Sequence, residues 1–226
     1  MDFDALTENY FKKEMRVKVI GRYYPSEAGQ CLRKAYYSFI NPKETDLELT
    51  KIFEAGNIVH DFVSKVFESD KNPDVELLES ETSFGIPIDD FVISGRIDNL
   101  ILLKEQDKKV LVEVKSTKAI DYLESPQESH IMQLQLYLHA RKMQEGVLVY
   151  VEKNTLKSKT FPVTYNASMY EAVINRFKKL HEHLKNSSTP APESRLIEGK
   201  KWMCRYCNYK TECFQETPKV GLTKYF

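Results

Sequence analysis

The stretch Val110–Lys115, VLVEVK, has the alternation that decides the fold prediction for this chain. Successive side chains of a β-strand point to opposite faces of a sheet. The three valines therefore share one face, and Leu111, Glu113 and Lys115 share the other. A carboxylate and a lysine on one face of a mostly apolar strand predict a site that carries chemistry. Because an E-x-K pair on a strand is common, the neighbouring segments must support that prediction.

Helix-like and strand-like segments alternate on both sides of this strand and predict an α/β fold. Asn186–Pro192, NSSTPAP, is the clearest linker, and a compact cysteine-rich segment, WMCRYCNYKTEC, follows it. The predicted helices are Ser26–Tyr37, which contains Cys31, then Lys51–Ser69, Pro126–Gln144 and Ala167–Lys185. The predicted strands are Val75–Phe84, Phe91–Lys104, Lys109–Lys115, Gly146–Glu152 and Lys157–Val163.

The composition indicates a folded chain with one large domain, or one domain with a small appendage. Of 226 residues, 42% are hydrophobic, and 33 basic residues balance 33 acidic ones. A net charge of zero neither supports nor excludes a nucleic-acid partner, so any DNA groove must come from local clustering. No secretory signal or membrane-spanning apolar run is present, which predicts a cytoplasmic protein without membrane contact. The lack of a Gly-Lys-Ser/Thr phosphate loop gives no support to an ATP-driven motor.

Asp98, Glu113, Lys115 and His60 form the candidate metal site. Asp98 ends the run FVISGRID and precedes Glu113 by fifteen residues, about a hairpin's length, so both carboxylates are expected at one sheet edge. Mg²⁺ and Mn²⁺ prefer oxygen ligands, and the nitrogen of His60 favours Mn²⁺. Such a cation assists phosphodiester cleavage, while Lys115 would orient or deprotonate the water or stabilise the transition state. Each residue alone is more often structural, so the hypothesis depends on their joint order.

The four cysteines are a second candidate metal site. Cys204 and Cys207 form a C-x-x-C pair, Cys213 follows, and Cys31 lies far upstream. Four thiolates fit a tetrahedral zinc ion or an iron–sulfur cluster equally well by count, and buried free thiols are a further alternative. A single centre would fasten the C-terminal segment to the first helix. The aromatic and basic residues of that segment suit either single-stranded DNA or a small core around the metal.

At this point the motifs resemble a known family. QCLRKAYY, GNIVH, GRID, EVKST, QLQLYLHA and CRYCNYKTEC occur in the order found in the CRISPR-associated RecB-like exonucleases, small relatives of the RecB and AddB nuclease domains. The resemblance runs from Pro25 to Cys213. It implies a restriction-endonuclease-like PD-(D/E)XK fold, in which helices flank a mixed central sheet. It also implies two parts of the chain: a nuclease domain at residues 1–186 and an iron–sulfur cluster segment with a tail at residues 187–226. Residues 25–50 of the nuclease domain would contribute to the region around the cluster.

The resemblance also implies a role for each site residue. His60, Asp98, Glu113 and the backbone carbonyl of Val114 would bind Mg²⁺ or Mn²⁺, and Lys115 would be the catalytic lysine beside the two carboxylates. The other implied residues are Gln133 and Tyr137 of a glutamine–tyrosine motif next to the active site, and Cys31, Cys204, Cys207 and Cys213 as ligands of a 4Fe–4S cluster.

The implied activity is a metal-dependent exonuclease that acts on DNA ends, prefers single strands and works 5′→3′. It would trim fragments before their insertion into a CRISPR array, alongside the CRISPR integrase complex. Three alternatives stay open: a viral or DNA-repair nuclease of the same fold, a non-catalytic DNA-binding or assembly module, and a zinc protein. The tail Phe214–Phe226 matches no motif, and the residues do not fix the oligomeric state.

Overall fold

A computed structural model describes residues 1–12 and 17–215, and it has a six-stranded mixed sheet with helices on both faces. The predicted fold class is therefore confirmed. Of the tail for which no motif was found, residues 216–226 lie outside the described part. The strands are β1 (Arg22–Tyr23), β2 (Val75–Ile88), β3 (Phe91–Leu103), β4 (Lys108–Thr117), β5 (Glu145–Glu152) and β6 (Ser158–Thr164). The helices are α1 (Phe3–Phe11), α2 (Leu32–Ile40), α3 (Leu47–Glu68), α4 (Glu128–Arg141), α5 (Ala167–Lys185), α6 (Glu193–Leu196) and α7 (Lys210–Gln215).

Strand β3 organises the sheet because three strands pair with it. β2 runs antiparallel along the whole of one edge. The other edge is shared: β4 pairs antiparallel with residues 99–103, and β1 pairs parallel with residues 92–93. β5 then adds parallel to β4, and β6 adds antiparallel to β5. Within the described chain, residues 94–98 on this second edge of β3 therefore have no partner strand, and Asp98 lies in that opening.

The two faces of β4 pack against different helices, as its alternation predicts. Its three valines join Val59 and Val63 of α3 in one apolar cluster. Leu111 lies in a separate and larger cluster with Leu134 of α4 and Phe177 of α5. The sheet is thus covered on both sides, which explains why residues 110–114 of β4 are all buried. None of the described helices is both long enough and apolar enough to cross a bilayer.

The first predicted helix needs a correction. Ser26 does not begin it: residues Pro25–Glu27 form a short 3₁₀ turn, and α2 begins at Leu32. Cys31 is therefore the residue before the helix and not a residue within it. The chain turns between these two segments, and Gly29 in that turn approaches α4 so closely that a β-carbon there would lie 2.2 Å from that of Ser129. A helix through this point would need more room than α4 leaves.

Candidate active site and cysteine cluster

Asp98 and Val114 face each other where β3 and β4 separate. The last paired residues are Asn99 and Val112, and beyond them the two strands diverge. A carboxylate oxygen of Asp98, Oδ2, spans the gap and accepts a 2.7 Å hydrogen bond from the backbone N–H of Val114. The strand separation thus leaves two buried carboxylates, those of Asp98 and Glu113, near each other at one end of the hairpin.

His60 reaches this opening from α3. Asp46 caps the start of that helix by accepting a 3.0 Å hydrogen bond from the N–H of Glu48. Further along the helix, Nδ1 of His60 lies 3.4 Å from Oδ2 of Asp98. Burial lowers the pKa of His60, but the hydrogen bond and the negative charge of Asp98 outweigh it and raise that pKa above its usual value. Asp98 therefore places negative charge beside the imidazole, and the same negative charge would attract a bound cation.

Glu113 is the most buried carboxylate of the site, with 1% of its surface exposed. Nζ of Lys115 lies 2.5 Å from its Oε1, yet neither oxygen of Glu113 has a partner in hydrogen-bonding geometry. Burial, followed by the charge of Asp98, raises the pKa of Glu113. The charge of Lys115 compensates Oε1, but Oε2 is a buried acceptor without a partner among the described residues, which is costly, so this oxygen fits a bound cation.

Three polar side chains on the α4 face extend the site in a chain. Nζ of Lys115 donates a 3.1 Å hydrogen bond to Oε1 of Gln133. Nε2 of Gln133 in turn donates a 2.7 Å bond to the hydroxyl of Tyr137. The two α4 residues are four apart and share a helix face. The structure therefore brings the glutamine–tyrosine pair to the lysine and holds its amine from two sides.

Glu81 is a further candidate ligand that the sequence reading did not identify. One oxygen or nitrogen from each of His60, Glu81 and Asp98 lies within 4.8 Å of the other two. Glu81 and Asp98 lie between the paired positions Ser80–Asn99 and Thr82–Ile97 of β2 and β3. Glu81 adopts a left-handed φ of 51° and lies 3.0 Å from Arg96 in an ion pair. The signal available in the sequence was symmetry, because Glu81 and Asp98 are equally far from the Asp89–Asp90 turn.

The four predicted cysteine ligands line one cavity of about 320 Å³. All are free thiols. Burial and the neighbouring cysteines raise the pKa of Cys204, and burial raises that of Cys207. One of these cysteines directly precedes α2, two lie between α6 and α7, and one lies in α7. These are Cys31, Cys204, Cys207 and Cys213.

The spacing of the thiols bears on which metal they fit. Within the described chain, the group of ligand atoms that meet within 4.8 Å is the one at His60, and no three thiols approach so closely. Around a single zinc ion, a Zn–S bond of about 2.3 Å requires sulfurs roughly 3.8 Å apart. A wider ring of sulfurs fits a multi-iron cluster, in which each cysteine binds a different iron.

Direct polar contacts also join the C-terminal segment to helix α2. Arg33 donates to the carbonyl of Pro190 at 2.6 Å, inside the predicted linker. Glu193 accepts from the N–H of Leu32 at 2.8 Å and from Arg176 at 2.6 Å. Arg195 donates to the carbonyl of Cys213 at 3.1 Å. The linker at Pro190 and the residue Glu193 after it are therefore held against the body of the protein.

The cysteine cavity reaches the candidate active site. Its wall includes Lys115, Gln133 and His130 together with the cysteines. Of the described residues that line it, none is Asp or Glu. Five are cationic: Arg33, Lys34, Lys115, Arg195 and Lys210. A chain of zero net charge thus concentrates positive charge in one cavity, which suits a polyanion.

Comparison with known proteins places these features in context. Residues 61–214 match the family model of the PD-(D/E)XK nuclease superfamily. The CRISPR-associated exonuclease Cas4 of Saccharolobus solfataricus is 24% identical over 217 residues, which cover 92% of this chain and 97% of that protein.

Solved structures share the fold. The crystal structure of SSO0001 superposes with a TM-score of 0.66 at 23% identity and covers 94% of this chain and 96% of that one. An alkaline exonuclease from Laribacter hongkongensis superposes with a TM-score of 0.52 at 12% identity, covering 74% and 90% of the two chains.

Proposed function

We propose a substrate and a direction of cleavage for this chain, which belongs to the PD-(D/E)XK nuclease superfamily and is a DNA exonuclease. It removes nucleotides from the 5′ end of single-stranded DNA with Mg²⁺ or Mn²⁺ as cofactor. The observation that carries the proposal is the approach of His60 to Asp98 and of Lys115 to Glu113 at the open end of the β3–β4 hairpin, where the buried Oε2 of Glu113 has no hydrogen-bond partner among the described residues.

The preference for single strands rests on the cavity beside Lys115. Its cationic wall attracts phosphates, and Trp202 and Tyr206, 58% and 79% exposed, border it with aromatic rings on which unpaired bases can stack. The direction of cleavage is carried over from the family resemblance alone.

Each residue of the site has its own role in the proposed cleavage reaction. His60, Asp98 and Glu113, with the carbonyl of Val114, would hold the divalent cation. Bound there, that cation supplies charge neutralisation at the phosphate and acidifies the attacking water. Lys115 stabilises the charge that develops on the phosphate oxygens. Gln133 fixes the lysine amine, and Tyr137 fixes the amide of Gln133.

The second cofactor we propose is a 4Fe–4S cluster on Cys31, Cys204, Cys207 and Cys213. The wide thiol spacing and the shared cavity support it over a single zinc ion. We propose that residues 1–186 form the nuclease domain and residues 187–226 the cluster segment. The role of the cluster in this proposal is structural.

The proposed pathway is the trimming of DNA fragments before their insertion into a CRISPR array, in the cytoplasm and alongside the integrase complex. Support comes from the relative in Saccharolobus solfataricus, which is named a CRISPR-associated exonuclease and matches nearly the whole chain.

End-labelled oligonucleotides test the activity and its direction. With Mn²⁺, we expect a 5′ label to appear first in the shortest products, whereas a 3′-labelled strand shortens gradually. Addition of a chelator in excess of the cation should stop both reactions, because the carboxylates alone do not activate water. A duplex with blunt ends serves as the comparison substrate and should be degraded more slowly.

Two results would contradict the proposal. Early release of the 3′ label would reverse the direction. No cleavage of any strand with Mn²⁺ or Mg²⁺, combined with retained DNA binding, would instead favour the non-catalytic DNA-binding module.

A further inference from the structure

His130 lies in the cavity between Lys115 and the cysteines, and the mechanism above does not use it. It is one turn before Gln133 on α4 and on the same helix face. Its Nδ1 lies 2.7 Å from the hydroxyl of Tyr150, and the two ring centroids are 5.6 Å apart. Tyr150 is the β5 partner of Lys115 across the sheet. The imidazole is therefore held beside the catalytic lysine by a side chain of the sheet.

The hydrogen bonds of Tyr150 decide which nitrogen of His130 carries the proton. The N–H of Gln127 donates to the Tyr150 oxygen at 3.0 Å. We assign the hydroxyl hydrogen to the bond with Nδ1 of His130, which places the ring hydrogen on Nε2. Burial, with a smaller contribution from the charge of Lys115, lowers the pKa of His130 to about 3. The ring is a neutral donor at physiological pH.

That donor has no partner among the described residues. Tyr150 is the hydrogen-bond partner of the ring in the described part of the chain, which leaves Nε2 without one on the cavity side. The two arginines of the cavity serve its other end: Arg33 lies 3.9 Å from the sulfur of Cys213, and Arg195 donates to the carbonyl of the same residue. At the end nearest the active site, Lys115 is paired with Glu113 and Gln133, and Nε2 of His130 is left to donate to a ligand.

Resting on the proposed function, we propose that His130 donates a hydrogen bond from Nε2 to a phosphate of the bound single strand, next to the phosphate that is cut. The ligand class follows from the cavity, whose described wall carries cations and no carboxylate. A neutral donor adds affinity for a phosphate without placing a second positive charge against Lys115. His130 is accordingly a substrate-positioning residue.

Affinity for a fluorescent single-stranded oligonucleotide tests the assignment. The cluster-loaded protein is used with chelator present, so that the strand stays intact while fluorescence anisotropy reports Kd. His130→Ala should raise Kd about 10-fold, the usual effect of losing one hydrogen bond to a charged group. His130→Gln, whose amide offers an N–H at a similar reach, should restore most of the affinity. The matched control is His139→Ala, a histidine of the same helix outside the cavity wall.

Oligonucleotides with one neutral methylphosphonate locate the contact. At one position the modification should weaken binding of the natural protein about 10-fold and leave His130→Ala unaffected. A purely structural role for His130 would not produce that position-specific loss of coupling. Tyr150→Phe keeps the ring but removes the hydroxyl that sets the tautomer. It should raise Kd about 2-fold, and it supplies the test if His130→Ala does not fold.

The outcomes separate this inference from the proposed function. Equal Kd values for the natural protein and His130→Ala, or equal sensitivity of both to every methylphosphonate, would overturn the role of His130 and leave the nuclease proposal intact. Failure of the natural protein to bind or cut single strands would overturn the proposed function itself.

Discussion

Lys115→Ala is expected to slow degradation of single-stranded DNA by about 1000-fold, the usual scale for losing one group that stabilises the transition state. The ammonium is held between Glu113 at 2.5 Å and Gln133 at 3.1 Å, and an alanine side chain supplies no charge at that position. Asp98→Ala should give a loss at least as large, because it removes a ligand of the cation and the carboxylate that orients His60. The rates are measured on end-labelled strands with saturating Mn²⁺.

Lys109→Ala is the matched control for the lysine variant. Lys109 is exposed and stands on the same strand, beside the hairpin turn and away from the opening between β3 and β4. Its replacement should leave the rate within about 2-fold of that of the natural protein, in line with a surface change. Undiminished cleavage by Lys115→Ala and Asp98→Ala would exclude the assigned active site, provided that circular dichroism shows both variants folded.

Cys207→Ser is expected to abolish the brown colour of the cluster and to destabilise the C-terminal segment by about 3 kcal/mol or more, since metal binding contributes directly to folding. The contacts from Arg33, Glu193 and Arg195 remain, so the loss should be local. The sheet and its two apolar clusters keep their own packing. Limited proteolysis should therefore cut after Lys200, Lys201 or Arg205 and leave the nuclease body intact.

Tyr206→Ala is the control for that variant. Its ring is 79% exposed in the same segment, so its removal should leave the colour and the protease resistance unchanged. Anaerobic purification of the natural chain as a colourless, zinc-loaded protein would contradict the cluster assignment. Retention of the full iron content by Cys207→Ser would contradict this residue's role as a ligand.

The parts of the fold that local pattern determines were predictable. Strand β4 follows from alternation, because each face meets its own apolar cluster. Helix α5 has the predicted bounds, Ala167–Lys185, because Asn166 caps its start with a 3.0 Å bond from the N–H of Met169. In both cases the deciding signal, the alternation of β4 and the cap of α5, lies within the segment or next to it.

The parts set by distant contacts were not predictable. Cys31 lies outside α2 because α4, about one hundred residues later, occupies the space beside Gly29. Glu81 joins His60 and Asp98 only through the register of the β2–β3 hairpin. Whether the imidazole of His60 points toward Asp98 likewise depends on how α3 crosses the sheet. Residue types and order indicated a metal site, but its full set of ligand atoms required the packing of three separate elements.

Anomalous diffraction from crystals soaked in Mn²⁺ tests the central claim most directly. We expect one strong peak within coordination distance of the His60 imidazole and of the Asp98 and Glu113 carboxylates, with the amine of Lys115 beside it. No peak there, or a peak held by other residues while Glu113 stays uncoordinated, would contradict it.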